Sequence, residues 1–392
     1  MRITYVHQYY KTPDEGGALR SWRISQAMIQ AGHEVSLVAA HTGPVKTLRQ
    51  KQLTIHYLPV PYSSSFSALR RIRAFISFYF QARRFISRSP KPDLLFLSST
   101  PLTVGFIGPW AKRKYGLPYV FEVRDLWPDA PIQMGVIRNQ ILIRWLKKKE
   151  RELYNHAAHI VALSPGMKQG ILRTCPTAPV SMIPNMADMA LFGNLPAKAL
   201  AEKKLGLPAM FRIAYTGAMG PSNGLHKCMA LANACFDLPI EFVFAGEGPQ
   251  KKILQDESRS NVRVLPPVDA KGIGMLLAAS DMVLVSFSDI PVLQTNSPNK
   301  FFDGLAAGKP ILAAMDGWIG DLVSQNQCGL HLSSQNSEQI KLALIRLMNA
   351  PQDLEAMGRK AARLALQFDS RSLCHQLIRI LPEVDISDPT RP

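Results

Sequence analysis

Lys300 and Asp303 stand about one helical turn apart in the segment TNSPNKFFDGLAAGKP, residues 295–310. A cation and a carboxylate on one side of a helix can hold a sugar nucleotide, the first against its diphosphate and the second against its ribose hydroxyls. The spelling around them predicts such a helix, with Ser297 as N-cap, Pro298 at the first helical position, Gly308 just past the end and Pro310 beyond. A helix start presents free N–H groups and partial positive charge, which suits an anion. Lys300 falls in that first turn, where a cation opposes the dipole unless an anion is bound. A capped surface helix with a solvated Lys and Asp fits the same residues.

Other loops offer chemistry of their own. Glu122, Arg124 and Asp125 close a strand-like run, YVFEV, at 119–123. An acid such as Asp125 at the end of a parallel strand can take a proton from an acceptor hydroxyl. An Arg124–Asp125 ion pair that only holds structure fits equally. Gly16 and Gly17 open the first helix and would let backbone approach a phosphate or sugar. Residues 215–224, TGAMGPSNG after Tyr215, form a glycine-rich turn in which Gly217 and Asn223 would face a diphosphate. Gly246 and Glu247 belong to G-x-G-x-x-K, which misses the third glycine of the dinucleotide fingerprint. No Walker lysine pattern, HExxH array or metal constellation occurs, so neither metal nor cofactor is expected. The five cysteines, 175, 228, 235, 328 and 374, are scattered and include no CxxC pair, which points to reduced thiols.

The elements that must position these loops come twice. In the first half, strand-like runs at 3–6, 34–39, 94–97, 119–123 and 159–163 alternate with helical patterns. The second half restarts the pattern, with runs at 212–215, 240–245, 262–265, 281–287 and 311–314. Such alternation predicts two doubly wound α/β domains with parallel sheets, facing each other across a cleft. Their expected bounds are 1–182 and 183–368, with a helix at about 369–382 returning to the first domain and a disordered tail at 383–392. A chain of 392 residues suits two cores better than one.

Charge divides the halves. Of the formal net charge of +17, all the excess lies before residue 183, and no carboxylate occurs between Glu34 and Asp93. Such asymmetry suggests a polyanionic partner for the first half alone. Residues 66–88 place Leu69, Ile72, Ile76, Tyr79 and Phe80 at helical spacing among Arg70, Arg71, Arg73, Arg83 and Arg84, with Phe75 adding aromatic bulk. This is the pattern of a helix lying in an anionic membrane interface, and a second basic helix is expected at 137–151. The N-terminus reads as a strand and not as a signal peptide.

Taken in order, several motifs resemble family 4 glycosyltransferases of the GT-B fold. They are the Glu15-Gly-Gly loop, Ala31-Gly-His-Glu-Val, Ile183-Pro-Asn, Tyr215-Thr-Gly, Ala245-Gly-Glu-Gly-Pro and Leu305-Ala-Ala-Gly-Lys-Pro-Ile. Val123-Arg-Asp-Leu-Trp-Pro and Ser297-Pro-Asn-Lys-Phe-Phe-Asp resemble a WbuB-type subgroup, linked to O-antigen and capsule assembly and to N-acetyl-L-fucosamine transfer. The resemblance implies two Rossmann-like domains, the second binding the donor. It also implies retention of configuration without metal, and a donor site marked E-x7-E. Thr295 and Asp303 occupy those two positions, so the first acid is lost and the second shortened. Asn296, Ser297 and Asn299 flank them. The family's diphosphate cations are missing from the turn after Tyr215, which leaves Lys300 for that role. Asp125 falls near the position of a catalytic His or Asp, with Glu122 and Arg124 behind it or at the acceptor.

The implied activity moves a sugar from a UDP-sugar to a polyprenyl-diphosphate-linked saccharide. The expected location is cytoplasmic, peripheral on the inner face of the membrane. A UDP-sugar epimerase of the same architecture is the nearest alternative. A basic nucleic-acid-binding protein is a more distant one, since no recognition motif is present and no nucleic-acid partner is expected.

Overall fold

The computed structural model describes residues 1–13, 19–63, 66–332 and 337–382. The glycines at 16 and 17 and the tail at 383–392 lie outside them. The chain forms two compact units, one built on Leu19–Pro184 with the N-terminal strand, the other on Asn185–Ser370. From Arg371 onward the last helix, Ser370–Arg379, groups with the first unit.

The first unit holds β1 (Arg2–Val6), β2 (Glu34–His41), β3 (Lys46–Gln50), β4 (Leu53–Pro59), β5 (Leu94–Ser98), β6 (Tyr119–Val123), β7 (His159–Ala162) and β8 (Val180–Met182). They form one sheet in the order β3-β4-β2-β1-β5-β6-β7-β8. The β3–β4 pair is antiparallel and the other pairs are parallel. Sequence reading missed β3, β4 and β8. The polar run KTLRQ of β3 is an exposed edge, the place where charge is usual in a sheet. The alternation LTIHYLP of β4 was hidden inside a stretch read only for its charge.

The second unit holds β9 (Phe211–Ala218), β10 (Ile240–Glu247), β11 (Val262–Leu265), β12 (Met282–Ser286), β13 (Ile311–Ala314) and β14 (Gly329–His331). Their order is β11-β10-β9-β12-β13-β14, all parallel. Central strands such as MVLVS and ILAA are buried along their whole length, as helix-covered parallel strands must be.

Each sheet changes winding direction at one strand, β1 in the first unit and β9 in the second. Ligand crevices in such sheets open beyond the carboxyl ends of the strands at that switch. The loops after β1, β5 and β6 carry His7, Ser99, Arg124 and Asp125. The last residues of β9 carry Gly217, and the chain after β12 leads to Lys300.

Candidate active site

In the second unit, Gly217 is the next-to-last residue of β9, with φ +127, a conformation open to glycine. Its neighbour in register is Gly246 on β10. A Cβ on Gly246 would sit 1.8 Å from the Gly217 carbonyl oxygen, so no larger residue fits while this turn stands. Lys300 lies on the other side. A Cβ on Gly217 would come within 3.4 Å of its Cε and 3.5 Å of its Nζ. A glycine at 217 therefore leaves room beside the lysine head.

The helix that carries Lys300 runs Asn299–Ala306, and its cap residue is Pro298, with no side-chain cap. The expected N-cap role of Ser297 is overturned. Its hydroxyl instead accepts from the Asn185 backbone N–H at 3.2 Å, and its carbonyl accepts from the Asn185 side-chain amide. Ser297 thus ties the chain just past Pro184 to the start of the helix.

Lys300 is buried, yet no carboxylate of the described residues lies within ion-pair distance of it. Its Nζ sits 3.8 Å from the centroid of the Tyr215 ring. Burial pulls its pKa down to about 7, opposed by Cys228 and Asp303. Asp303 is half-buried, and burial, then the Asp188 charge, push its pKa up to about 8 against the pull of Lys300. The unit therefore presents a weakly charged amine and a largely protonated acid, both able to change state when an anion arrives.

The other expected donor residues divide. Glu247 is exposed and paired with Lys251 at 2.9 Å, which lowers its pKa. Asn223 is buried, and its amide donates to Gly220 O at 3.4 Å, holding the turn. Asn296 is buried, with its carbonyl accepting from Trp318 Nε1 at 2.9 Å. Thr295 donates its hydroxyl to Val292 O at 2.7 Å, so the residue in place of an acid holds its own turn. Asn299 is half-buried at the helix start. Among the described residues no group of His, Cys, Asp or Glu could hold a metal ion.

In the first unit, Glu122 is wholly buried. Arg20 Nε donates to it at 2.7 Å and the Ser98 hydroxyl also bonds to it. Burial would raise its pKa, but Arg20 and Arg124 outweigh that and keep it ionised. Glu122 is therefore a support and no acceptor contact. Arg20 also donates to the carbonyls of Ile183, at 2.9 Å, and Pro184.

Arg124 forms no ion pair with Asp125. Its Nη1 donates to His7 Nε2 at 3.2 Å, and its backbone N–H donates to Ser99 Oγ at 2.9 Å. His7 is kept neutral by burial and by Arg124, and its Nδ1 meets Ser21 Oγ at 2.8 Å. Sequence reading missed His7, although its place directly after β1 was a usable signal. Asp125 is half-buried beyond the end of β6, and burial raises its pKa to about 6 despite Arg124. An acid poised there can accept a proton near neutral pH.

The basic helix spans Ala68–Arg88 and shows two apolar faces. Ala74, Phe78, Ala82 and Ile86 are in the core. Leu69, Ile72, Ile76 and Phe80 point outward, with Leu69 72% and Phe80 59% exposed. Arg70, Arg73 and Arg84 are exposed beside that outer ridge, whereas Arg71 and Arg83 are half-buried. Arg83 is turned inward, donating to Tyr79 OH at 2.8 Å and lying 4.3 Å from the Trp110 ring centroid. Phe75 is half-buried and stacks on Tyr62 at 5.7 Å. Arg83 and Phe75 therefore take part in packing as well as lying partly at the surface. The second basic helix, Gln140–His156, exposes Ile141 and Trp145. Trp145 packs edge-on against Phe106 at 6.1 Å, beside the helix Ile107–Tyr115 that bears Trp110. Among the described residues no helix is long and apolar enough to cross a membrane.

Two family models match this chain, the Glycosyl transferase 4-like domain over residues 15–186 and Glycosyl transferases group 1 over residues 211–350. The probable glycosyltransferase WbjE of Pseudomonas aeruginosa is 23% identical over 301 residues, 71% of either chain. HepE of Anabaena, solved in complex with UDP-glucose, superposes with a TM-score of 0.69 at 16% identity over 97% of this chain and 98% of its own. WaaG, a glycosyltransferase involved in lipopolysaccharide biosynthesis, gives 0.67 at 17% over 96% and 99%. Sucrose-phosphate synthase from Thermosynechococcus elongatus gives 0.77 at 14% over 97% and 98%. With one glycosyltransferase domain following the other on two parallel α/β sheets, the protein is a glycosyltransferase of the GT-B fold.

Proposed function

We propose that this enzyme transfers a sugar, with retention and without metal, from a UDP-sugar to a polyprenyl-diphosphate-linked saccharide in O-antigen or capsule assembly. The transferred unit is an N-acetylated amino sugar such as N-acetyl-L-fucosamine. One observation carries the donor half of this reading. Lys300 is a buried cation with no carboxylate of the described residues within ion-pair distance, at a helix start and beside Gly217. Its position suits a diphosphate that gains negative charge as the glycosidic bond breaks. The UDP-glucose bound by HepE supports the same donor class. Asp303 serves the ribose, and Gly217 and Gly246 keep the diphosphate path open. Asp125 orients or deprotonates the acceptor, with Arg124 and His7 behind it.

The acceptor half rests on the outer ridge of the helix Ala68–Arg88. Apolar side chains among exposed arginines suit an anionic lipid surface, and lipopolysaccharide work by WaaG supports a lipid-linked acceptor. The enzyme would then sit peripherally on the inner face of the cytoplasmic membrane.

The test is transfer from a panel of labelled UDP-sugars to undecaprenyl-diphosphate saccharides in vesicles, with and without anionic lipid. Asp125→Asn is expected to lower turnover about 100-fold or more while leaving UDP-sugar affinity in place. Turnover within a few-fold of wild type would remove Asp125 from the chemistry. Equal rates on neutral and anionic vesicles would remove the membrane role.

A further inference from the structure

Lys300 raises a question that its own helix does not answer. A lysine has a flexible four-carbon stem, and its rotamer entropy opposes holding it still. A cation that serves a diphosphate gains from being fixed beforehand. No carboxylate of the described residues does this here. The ring of Tyr215 does. Tyr215 is wholly buried near the end of β9, with its ring face 3.8 Å from Lys300 Nζ. Its hydroxyl donates to the Ala218 carbonyl at 2.6 Å, one residue past Gly217. One side chain thus touches both the cation and the backbone turn on which a diphosphate would rest.

We infer that Tyr215 is a positioning residue for the donor diphosphate, holding the Lys300 head on its ring face while its hydroxyl pins the turn at Gly217 and Ala218. This rests on the reading of Lys300 as the diphosphate cation. A π face attracts an ammonium without neutralising it, unlike a carboxylate, so the lysine stays available to an anion. Burial keeps the Tyr215 hydroxyl protonated, and therefore a donor, throughout the working pH range. The ionisable groups acting on Lys300 are Asp303 on its own helix and Cys228 on the helix Leu225–Ala234. Asp188, ahead of the helix Met189–Phe192, acts on Asp303. Burial holds Cys228 as a thiol, with a pKa of about 11, so it contributes no charge near neutrality.

The experiment is calorimetric titration of the full chain with UDP-glucose between pH 6 and pH 9 (roughly the span of the Lys300 and Asp303 transitions). The diphosphate of this probe has no group that titrates near neutral. Wild type, Lys300→Met, Tyr215→Phe and Tyr215→Leu are compared, each checked for folding by circular dichroism. Wild-type affinity is expected to fall as pH rises past the Lys300 midpoint, and Lys300→Met to bind weakly without that step. Tyr215→Leu removes the ring face, so affinity should drop about 3- to 30-fold and the midpoint should move to lower pH. Tyr215→Phe keeps the face and loses the pin, so the midpoint should stay while affinity falls a few-fold.

A folded Tyr215→Leu with the wild-type midpoint would overturn the inference. If that variant does not fold, Tyr215→Phe decides: a shifted midpoint, or undiminished affinity, overturns it, and a fixed midpoint with weaker binding supports it. Undiminished binding by Lys300→Met would instead sink the reading of Lys300 itself.

Discussion

Two buried cations lie toward opposite ends of β9, and they differ in what surrounds them. Arg212, in the first residues of the strand, is 0% exposed and saturated with partners. Its Nε donates to Glu241 at 2.7 Å and its Nη1 to Glu202 at 2.9 Å. The carbonyls of Ala279 and Pro208 accept at 2.6 Å each. Lys300, at the other end, has a ring face and, among the described residues, no carboxylate within ion-pair distance. A buried charge held between two carboxylates and two carbonyls is architecture. A buried charge left without a counter-ion costs stability, and it persists where a ligand completes it.

The sharpest way to break this contrast is to make the same substitution at both places. Arg212→Met leaves Glu202 and Glu241 buried near a lost partner, with Arg263 still on Glu241 at 2.6 Å and Lys198 3.8 Å from Glu202. The expected cost is about 3–5 kcal/mol, enough to open the second unit. Hydrogen exchange read over 185–370 should show the loss there, and protection equal to wild type would contradict the structural role. Lys300→Met removes an unpaired amine from a buried place, so the thermal midpoint should hold or rise. Turnover should fall about 100- to 1000-fold, the range for losing one donor aimed at developing charge. A destabilised but active Lys300→Met would reverse the assignment of the two cations.

The same contrast explains what was legible in the sequence. Lys300 and Asp303 could be picked out because helix punctuation around them is local, and because a lysine in a first turn breaks a local rule. The central parallel strands were legible because buried strands such as MVLVS are continuous apolar runs. Tyr215 was invisible as a partner of Lys300, since contact across 85 positions of chain depends on the β9–β12 crossing. His7 and Arg124 were separated in the same way. Ser297 misled for a different reason. Its hydroxyl satisfies the local rule for a cap but was claimed by Asn185, a tertiary bond that local spelling does not encode. On the helix Ala68–Arg88, apolar periodicity showed that an apolar face exists, yet not that Phe78 would face the core and Phe80 the outside.

A smaller effect follows from protonation. With its pKa near 7 in the free protein, Lys300 is charged below that pH and loses charge above it. A bound diphosphate favours the charged form, so the complex holds the proton to higher pH than the free enzyme does. Donor affinity should therefore be flat below about pH 7 and fall by up to tenfold per unit above it. A profile flat through pH 9 would show that the lysine is already neutralised by something other than the donor.

The smallest effect concerns Asp303 and runs opposite in stability and binding. Its pKa in the folded state is raised to about 8, so the native chain keeps this proton where the unfolded chain has released it. The sign then follows. This group favours folding most at low pH, its contribution declines from about pH 4 to pH 8, and above that range the native state carries an ionised, half-buried acid near Asp188. Asp303→Asn removes the charge and keeps the shape. Its thermal midpoint should exceed that of wild type by about 2–4 °C at pH 8.5 and approach it at pH 5. Donor affinity should fall at the same time, because the ribose loses a carboxylate contact. A variant no more stable at pH 8.5 than wild type would mean that Asp303 already has a partner in the free enzyme, and the contrast with Arg212 would then belong to Lys300 alone.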